Sequence, residues 1–113
     1  MLATQMTRSL RHELLDAWYP RAIDADSGGF LSQFDYRWQP TGTQDKMIVT
    51  QARHVWTTAR AAQFFPTDTM FRRAAAHGFL FVRDKMWDSV DGGFFWLVSR
   101  GGVVRPEPDG RII

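Results

Sequence analysis

The chain has 113 residues, 44% hydrophobic and 23% charged, with a formal net charge of +2, the composition of one soluble globular domain at most. It has no cysteine, hence no disulfide framework and no thiolate chemistry, and its three histidines, His12, His54 and His77, lack HxH or HxxxH spacing, so a metal site is not expected. No apolar run approaches the ~20 residues that span a bilayer, Met1–Met6 lacks the basic-then-apolar pattern of a secretory leader, and the arginines interleave with aspartates instead of forming a nucleic-acid stripe.

The segment from Thr7 to Tyr19 places Leu10, Leu14, Ala17 and Trp18 on one face, which predicts an amphipathic helix. Pro20 ends it, because the ring removes a donor and drives the preceding residue out of the helical region. A turn, Asp24-Ala-Asp-Ser-Gly-Gly-Phe30, leads into an aromatic stretch, Phe30 to Tyr36, that reads as a short strand. Arg37 to Gln44 reads as a loop, marked by Pro40 and Gly42. Asp45 then reads as an N-cap for a helix from Lys46 to Phe65, with Ile48, Ala52, Val55, Trp56, Ala59 and Ala62 on its apolar face. Pro66 breaks that helix, and Thr67 or Asp68 can cap a third one running to about Met86. Its apolar stripe is Met70, Phe71, Ala74, Ala75, Gly78, Phe79 and Val82. The pair forms an αα-hairpin.

The early turn then returns. Asp88-Ser-Val-Asp-Gly-Gly-Phe94 repeats the D-x-x-x-G-G-F pattern of Asp24–Phe30 at a spacing of 64 residues. A second aromatic strand follows, Phe94 to Ser99. Gly101-Gly102 turns the chain so that Val103-Val104 can return as a hairpin. A supersecondary unit repeated at this period signals a repeat architecture. The chain stops in a polar stretch where another helix is due, so we expect residues 1–113 to be the N-terminal portion of one larger, incomplete domain.

Three ordered stretches carry a resemblance. They are Pro20-Arg-Ala-Ile-Asp24 with Gly28-Gly-Phe30; Asp45-Lys46 with Gln51-Ala-Arg53-His-Val-Trp56; and Ala76-His-Gly-Phe-Leu80 with Asp88 and Gly92-Gly-Phe-Phe-Trp96. Together they resemble the N-acylglucosamine 2-epimerase family, which includes cellobiose 2-epimerases and aldose–ketose isomerases. The resemblance implies a mainly α fold, the N-terminal part of an (α/α)6 barrel. This chain would supply about three of its helices, with short strands or hairpins led by the GGF turns. It also implies cofactor-independent chemistry at a sugar carbon beside a carbonyl. A base takes the C2 proton to leave an enediolate, and an acid returns a proton to C2 or to C1. The family's arginine in Q-x-R-x-x-W, here Arg53, would stabilise the oxyanion, while the acid/base histidines lie on helices this chain does not contain. The implied partner is a mono- or disaccharide, a cytoplasmic location is expected, and a homodimer is left open.

Helical spacing alone puts Val49, Arg53, Trp56 and Arg60 in one row at the edge of the apolar face. On spacing alone that row reads as a surface or salt-bridged one; the resemblance makes it a pocket wall. Some isomerase members carry an aromatic residue one turn before the arginine, where this chain has Val49. Trp56, Phe95 and Trp96 are candidates for substrate contact, each with core packing as the competing role. His54 and His77 have no partner in a catalytic dyad and read as structural. Asp24, Asp26, Asp88 and Asp91 read as turn residues rather than paired hydrolytic carboxylates. A non-catalytic carbohydrate-binding or structural module, or part of an (α/α)6 glycoside hydrolase, remain the alternatives.

Overall fold

In the computed structural model, which describes residues 2–105 and 111–112, the chain opens as one continuous helical rod. The rod comprises α1 (Leu2–Ser9), a wide π-type stretch (Leu10–Leu15) and α2 (Asp16–Trp18). It ends where Pro20 demands, with Tyr19 already extended. The hairpin follows as α3 (Ile48–Phe64) and α4 (Thr69–Phe81), the latter prolonged by a second π-type stretch (Val82–Met86). Asp68 is the N-cap of α4, its carboxylate accepting from the Met70 N–H at 3.1 Å. Arg11 from the first rod reaches the same carboxylate and lies over the rings of Phe65 and Phe71, stapling rod to hairpin.

Among the described residues, four two-residue strands form two antiparallel ribbons. β1 (Lys46–Met47) pairs with β3 (Leu97–Val98), and β2 (Phe94–Phe95) pairs with β4 (Arg111–Ile112). The D-x-x-x-G-G-F repeat is the same object twice. In each copy the Asp N–H donates to the second glycine's carbonyl, and the Asp carbonyl accepts from the first glycine's N–H. In each, Asp Oδ1 also accepts from two N–H groups inside the turn. All four glycines have positive φ, from 68° to 90°, which explains why glycine is required there.

The structure departs from expectation at four places. No strand runs from Phe30 to Tyr36; only isolated bridges form, Ile23 with Phe30 and Phe34 with Pro40. Side-chain amides take the place of a neighbouring strand. Gln51 exchanges two 2.9 Å hydrogen bonds with the backbone of Phe30, and Gln44 serves the Ser32 and Gln33 N–H groups. Asp45 does not cap α3: it pairs with Arg105, and the N-cap is Met47, whose side chain does not cap. The β1–β3 ribbon supplies one partner at this end instead, since the Ile48 N–H donates to the Trp96 carbonyl at 3.0 Å. For the same reason Lys46 lies in a strand, not in the helix. The return of Val103-Val104 is a single bridge between Val98 and Val104.

The core has two parts. Leu15, Tyr19, Ala22, Phe30, Ala61, Phe71 and Ala74 join the first rod to the hairpin. Ile48, Phe81, Met86 and Val98 sit under the ribbons. The buried face of α3 is Ile48, Gln51, Thr58 and Ala61, rotated from the purely apolar stripe. Burial of Gln51 and Thr58 is tolerable because their polar atoms are bonded, Thr58 to the carbonyls of His54 and Val55. Opposite them, Gly78 of α4 is the only size that fits: a Cβ there would lie 2.2 Å from the Phe30 ring.

Candidate functional site

Rotation of α3 leaves part of its apolar stripe facing outward. Val49, Ala52, Arg53 and Trp56 are all exposed, Trp56 by 66%. With Val82 and Phe94 they line a groove of about 770 Å³. On its other side Arg53 borders a smaller cleft of about 260 Å³, between the first rod and α3, where Trp18, Tyr19, Thr50 and His54 face it. One guanidinium therefore serves two adjoining depressions. Among the described residues no hydrogen bond or ion pair holds it. Arg11, Arg83, Arg100 and Arg105, by contrast, are each paired with an aspartate.

His54, beside Arg53 in sequence, turns inward. It stacks on Phe30 at 4.7 Å, and its Nδ1 lies 2.6 Å from the Tyr19 hydroxyl and its Nε2 3.4 Å from Ser32 Oγ. Tyr19 donating to Nδ1 and Nε2–H pointing at Ser32 uses every polar atom of the set. Burial pulls the imidazole down to about 4 and pushes the Tyr19 phenol up, so both are neutral at neutral pH. His77 Nε2 bonds the Gly29 carbonyl at 3.0 Å. Both histidines thus brace the first GGF turn and its neighbours.

The second aromatic stretch distributes its rings differently from simple alternation. Phe94, Phe95 and Trp96 are all half-buried against the core of Ile48, Phe81, Met86 and Val98. Phe94 lines the groove. Trp56, near the centre of the apolar stripe, lines the groove. The structure thus brings Arg53, Trp56 and Phe94 to one groove, which Phe95 and Trp96 do not line.

Under the start of α3 lies a cluster that sequence reasoning did not find. Lys46 and Asp24 are fully buried, with Nζ 2.7 Å from Oδ2. Lys46 also donates to the carbonyls of Gly28 and Arg100, and Arg100 binds Asp24 through Nε at 2.9 Å and Nη2 at 3.1 Å. Burial pushes the Asp24 carboxyl up, but bonds from Arg100, Lys46 and the Ser27 N–H outweigh it and hold the acid well below the usual carboxylate range. For Lys46 burial is the larger effect and lowers its pKa, with Asp24 opposing. The cluster joins the first turn, β1 and the β3 hairpin, and so fixes where α3 begins and where Arg53 stands. The sequence signals were Asp24 and the Asp45-Lys46 dipeptide, both inside the ordered motifs. Among the described residues no three His, Asp or Glu side chains come together as metal ligands, and no helix is long and apolar enough to cross a membrane.

This arrangement of helices and ribbons recurs in solved structures. The cellobiose 2-epimerase of Spirochaeta thermophila superposes with a TM-score of 0.77 at 27% identity, over 88% of this chain and 24% of that one. A D-mannose isomerase superposes with a TM-score of 0.76 over 88% of this chain and 25% of its own, and at 21% identity that likeness speaks for the fold alone. The fold is accordingly the N-terminal quarter of an (α/α)6 barrel. Residues 28–110 match the sequence model of N-acylglucosamine 2-epimerase (GlcNAc 2-epimerase), and the chain belongs to that family. A cellobiose 2-epimerase of Bacteroides fragilis is 24% identical over 102 residues, 90% of this chain and 26% of that protein. The chain spans about a quarter of the length of these relatives.

Proposed function

We propose that these residues form part of a sugar 2-epimerase or aldose–ketose isomerase, in which Arg53 stabilises negative charge on the reacting sugar. The observation that carries the reading is the exposed guanidinium of Arg53, unpaired among the described residues, between the Trp56 groove and the Trp18–His54 cleft. A sugar offers an apolar C–H face to rings and a polar rim to donors, and the two sides of Arg53 offer both kinds of surface. In the open-chain form the C2 proton, acidified by the C1 carbonyl, passes to a base. The electron pair moves to the carbonyl oxygen, giving an enediolate. Reprotonation at C2 from the opposite face gives the epimer; at C1 it gives the ketose. Arg53 stays cationic throughout and presents a planar fork of donors, so its help grows as charge develops on oxygen.

The general base and acid are not among the groups described. His54 is neutral and bonded to Tyr19, and His77 is bonded to the Gly29 carbonyl. On this reading residues 1–113 alone are inactive. Solvent-deuterium incorporation at C2 of cellobiose, mannose and glucosamine tests it. The whole protein is expected to exchange the C2 proton of one of these sugars, and the 113-residue piece none. Exchange by the piece alone, or none by the whole protein, would overturn the proposal.

A further inference from the structure

Two residues of α3 close to Arg53 in sequence, Gln51 and His54, both fasten to Phe30 of the first GGF turn. Gln51 is 1% exposed, and its amide exchanges two bonds with the Phe30 backbone, Oε1 accepting from the N–H and Nε2 donating to the carbonyl, each at 2.9 Å. The His54 ring stacks on the Phe30 ring at 4.7 Å, with 18° between the planes. Phe30 is itself held in place: it is fully buried, and its ring fills the space that a Cβ at Gly78 of α4 would need. His77 of α4 bonds the Gly29 carbonyl one residue earlier. Gly29 approaches so closely that a Cβ there would lie 2.7 Å from Gln51 Oε1.

Arg53 has no such hold of its own. Among the described residues no hydrogen bond or ion pair locates its guanidinium, so its place follows from how the α3 backbone is rotated. A helix advances about 100° per residue, which puts Gln51 about 160° and His54 about 100° from Arg53 around the axis. Holding Gln51 against Phe30 therefore aims Arg53 the opposite way, toward the two depressions it borders. The other buried residues of α3 fix no such angle. Ile48 and Ala61 are apolar and their burial is non-directional, while Thr58 bonds carbonyls of its own helix. We infer that Gln51 is a positioning residue for Arg53, its paired bonds with Phe30 setting the rotation of α3 that turns the guanidinium toward the reacting sugar. The inference rests on the function proposed above. It gives the two-residue spacing of Gln51 and Arg53 a physical reason, since residues two apart do not share a helix face.

Kinetics of the whole protein, on whichever of cellobiose, mannose or glucosamine it converts, and a crystal structure of one variant test this. Gln51→Met keeps the length of the side chain and loses both bonds. It is expected to lower kcat about a hundredfold, the effect of a displaced catalytic group, and to change KM less than about threefold. In an Arg53→Ala background the same substitution is expected to lower kcat less than about threefold, because the group it positions is gone. Phe71→Leu, which weakens the core but leaves the Gln51–Phe30 bonds in place, is expected to lower the melting temperature and change kcat less than about twofold. The crystal structure of Gln51→Met is expected to show the Arg53 guanidinium displaced by about 1 Å or more. A full fall in kcat in both backgrounds, a kcat no lower than that of Phe71→Leu, or an unmoved guanidinium would overturn the inference. An unchanged kcat for Arg53→Ala would sink the catalytic proposal instead, and a displaced guanidinium in Gln51→Met would still show that Gln51 sets where Arg53 stands. If Gln51→Met does not fold, Gln51→Glu, which keeps the acceptor for the Phe30 N–H, takes its place, with about a tenfold fall in kcat expected for the one lost bond and the same outcomes against it.

Discussion

Lys46 Nζ lies 2.7 Å from Asp24 Oδ2, with both side chains sealed from solvent, and this contact ties the first GGF turn to the strand that launches α3. Breaking a buried pair from one side strands the other charge, at a cost of ~3–5 kcal/mol. Asp24→Asn is expected to fall in that range, because it strands Lys46 and Arg100 together. Arg100→Gln should cost only about 1 kcal/mol, since its side chain is 41% exposed and solvent screens it. Urea unfolding of the two variants checks the order; equal losses would remove Asp24 from its central place.

The buried imidazole of His54 makes stability depend on pH. Its folded pKa, about 4, lies below the unfolded 6.5, so its neutral form is the one the fold accepts. The contribution is whole above pH 6.5 and is lost as pH falls toward 4, because the unfolded chain binds a proton that the folded chain refuses. The loss totals about 3 kcal/mol. Asp24 acts later: its folded pKa lies below the unfolded 3.8, so its contribution survives down to that pH and fades beneath it. Urea midpoints measured from pH 7 to 4 should slope for the natural protein and flatten for His54→Gln.

Gly29, the second glycine of the first turn, and Gly92, the first glycine of the second, share a positive φ but differ in their surroundings. Ala at Gly92 meets nothing within 4 Å and suffers only its positive φ of 79°, about 1–2 kcal/mol. At Gly29 a Cβ would also lie 2.7 Å from Gln51 Oε1 and 3.1 Å from the Phe81 ring. Gly29→Ala should therefore cost ~1–3 kcal/mol more than Gly92→Ala, as overpacking does. Thermal melts of both, side by side, read the difference.

Arg53 is exposed and unpaired among the described residues, so its removal should leave the fold alone, within ~1 kcal/mol. In the whole protein Arg53→Ala and Arg53→Lys are expected to lower kcat by about two to three orders of magnitude, the loss of one donor worth ~2.7–4 kcal/mol. KM should change much less, since the interaction belongs to the transition state. Steady-state kinetics and melting temperature on the same variants decide it. An unchanged kcat in folded protein would remove Arg53 from the chemistry.

What the sequence determined by itself is whatever acts within a few residues. Pro20 stops the first rod, Pro66 separates the hairpin's helices, Asp68 caps α4, and the glycines of D-x-x-x-G-G-F turn left-handed at both copies. Each is a fixed dihedral, a missing donor or a short side-chain bond, and each is legible one turn at a time. The ordered motifs, read as a family resemblance, also singled out Arg53. Tertiary structure alone decided which polar groups go inside. Gln51 is buried because Phe30, 21 residues away, offers it both backbone groups. Lys46 is buried because Asp24 and the carbonyl of Arg100, 54 residues on, arrive together. Those partners turn α3 about its axis, take Asp45 from its cap and bring Trp56 and Arg53 to the surface. Periodicity ranks side chains by their own affinity for water, whereas burial of a polar group depends on partners that only the folded chain supplies.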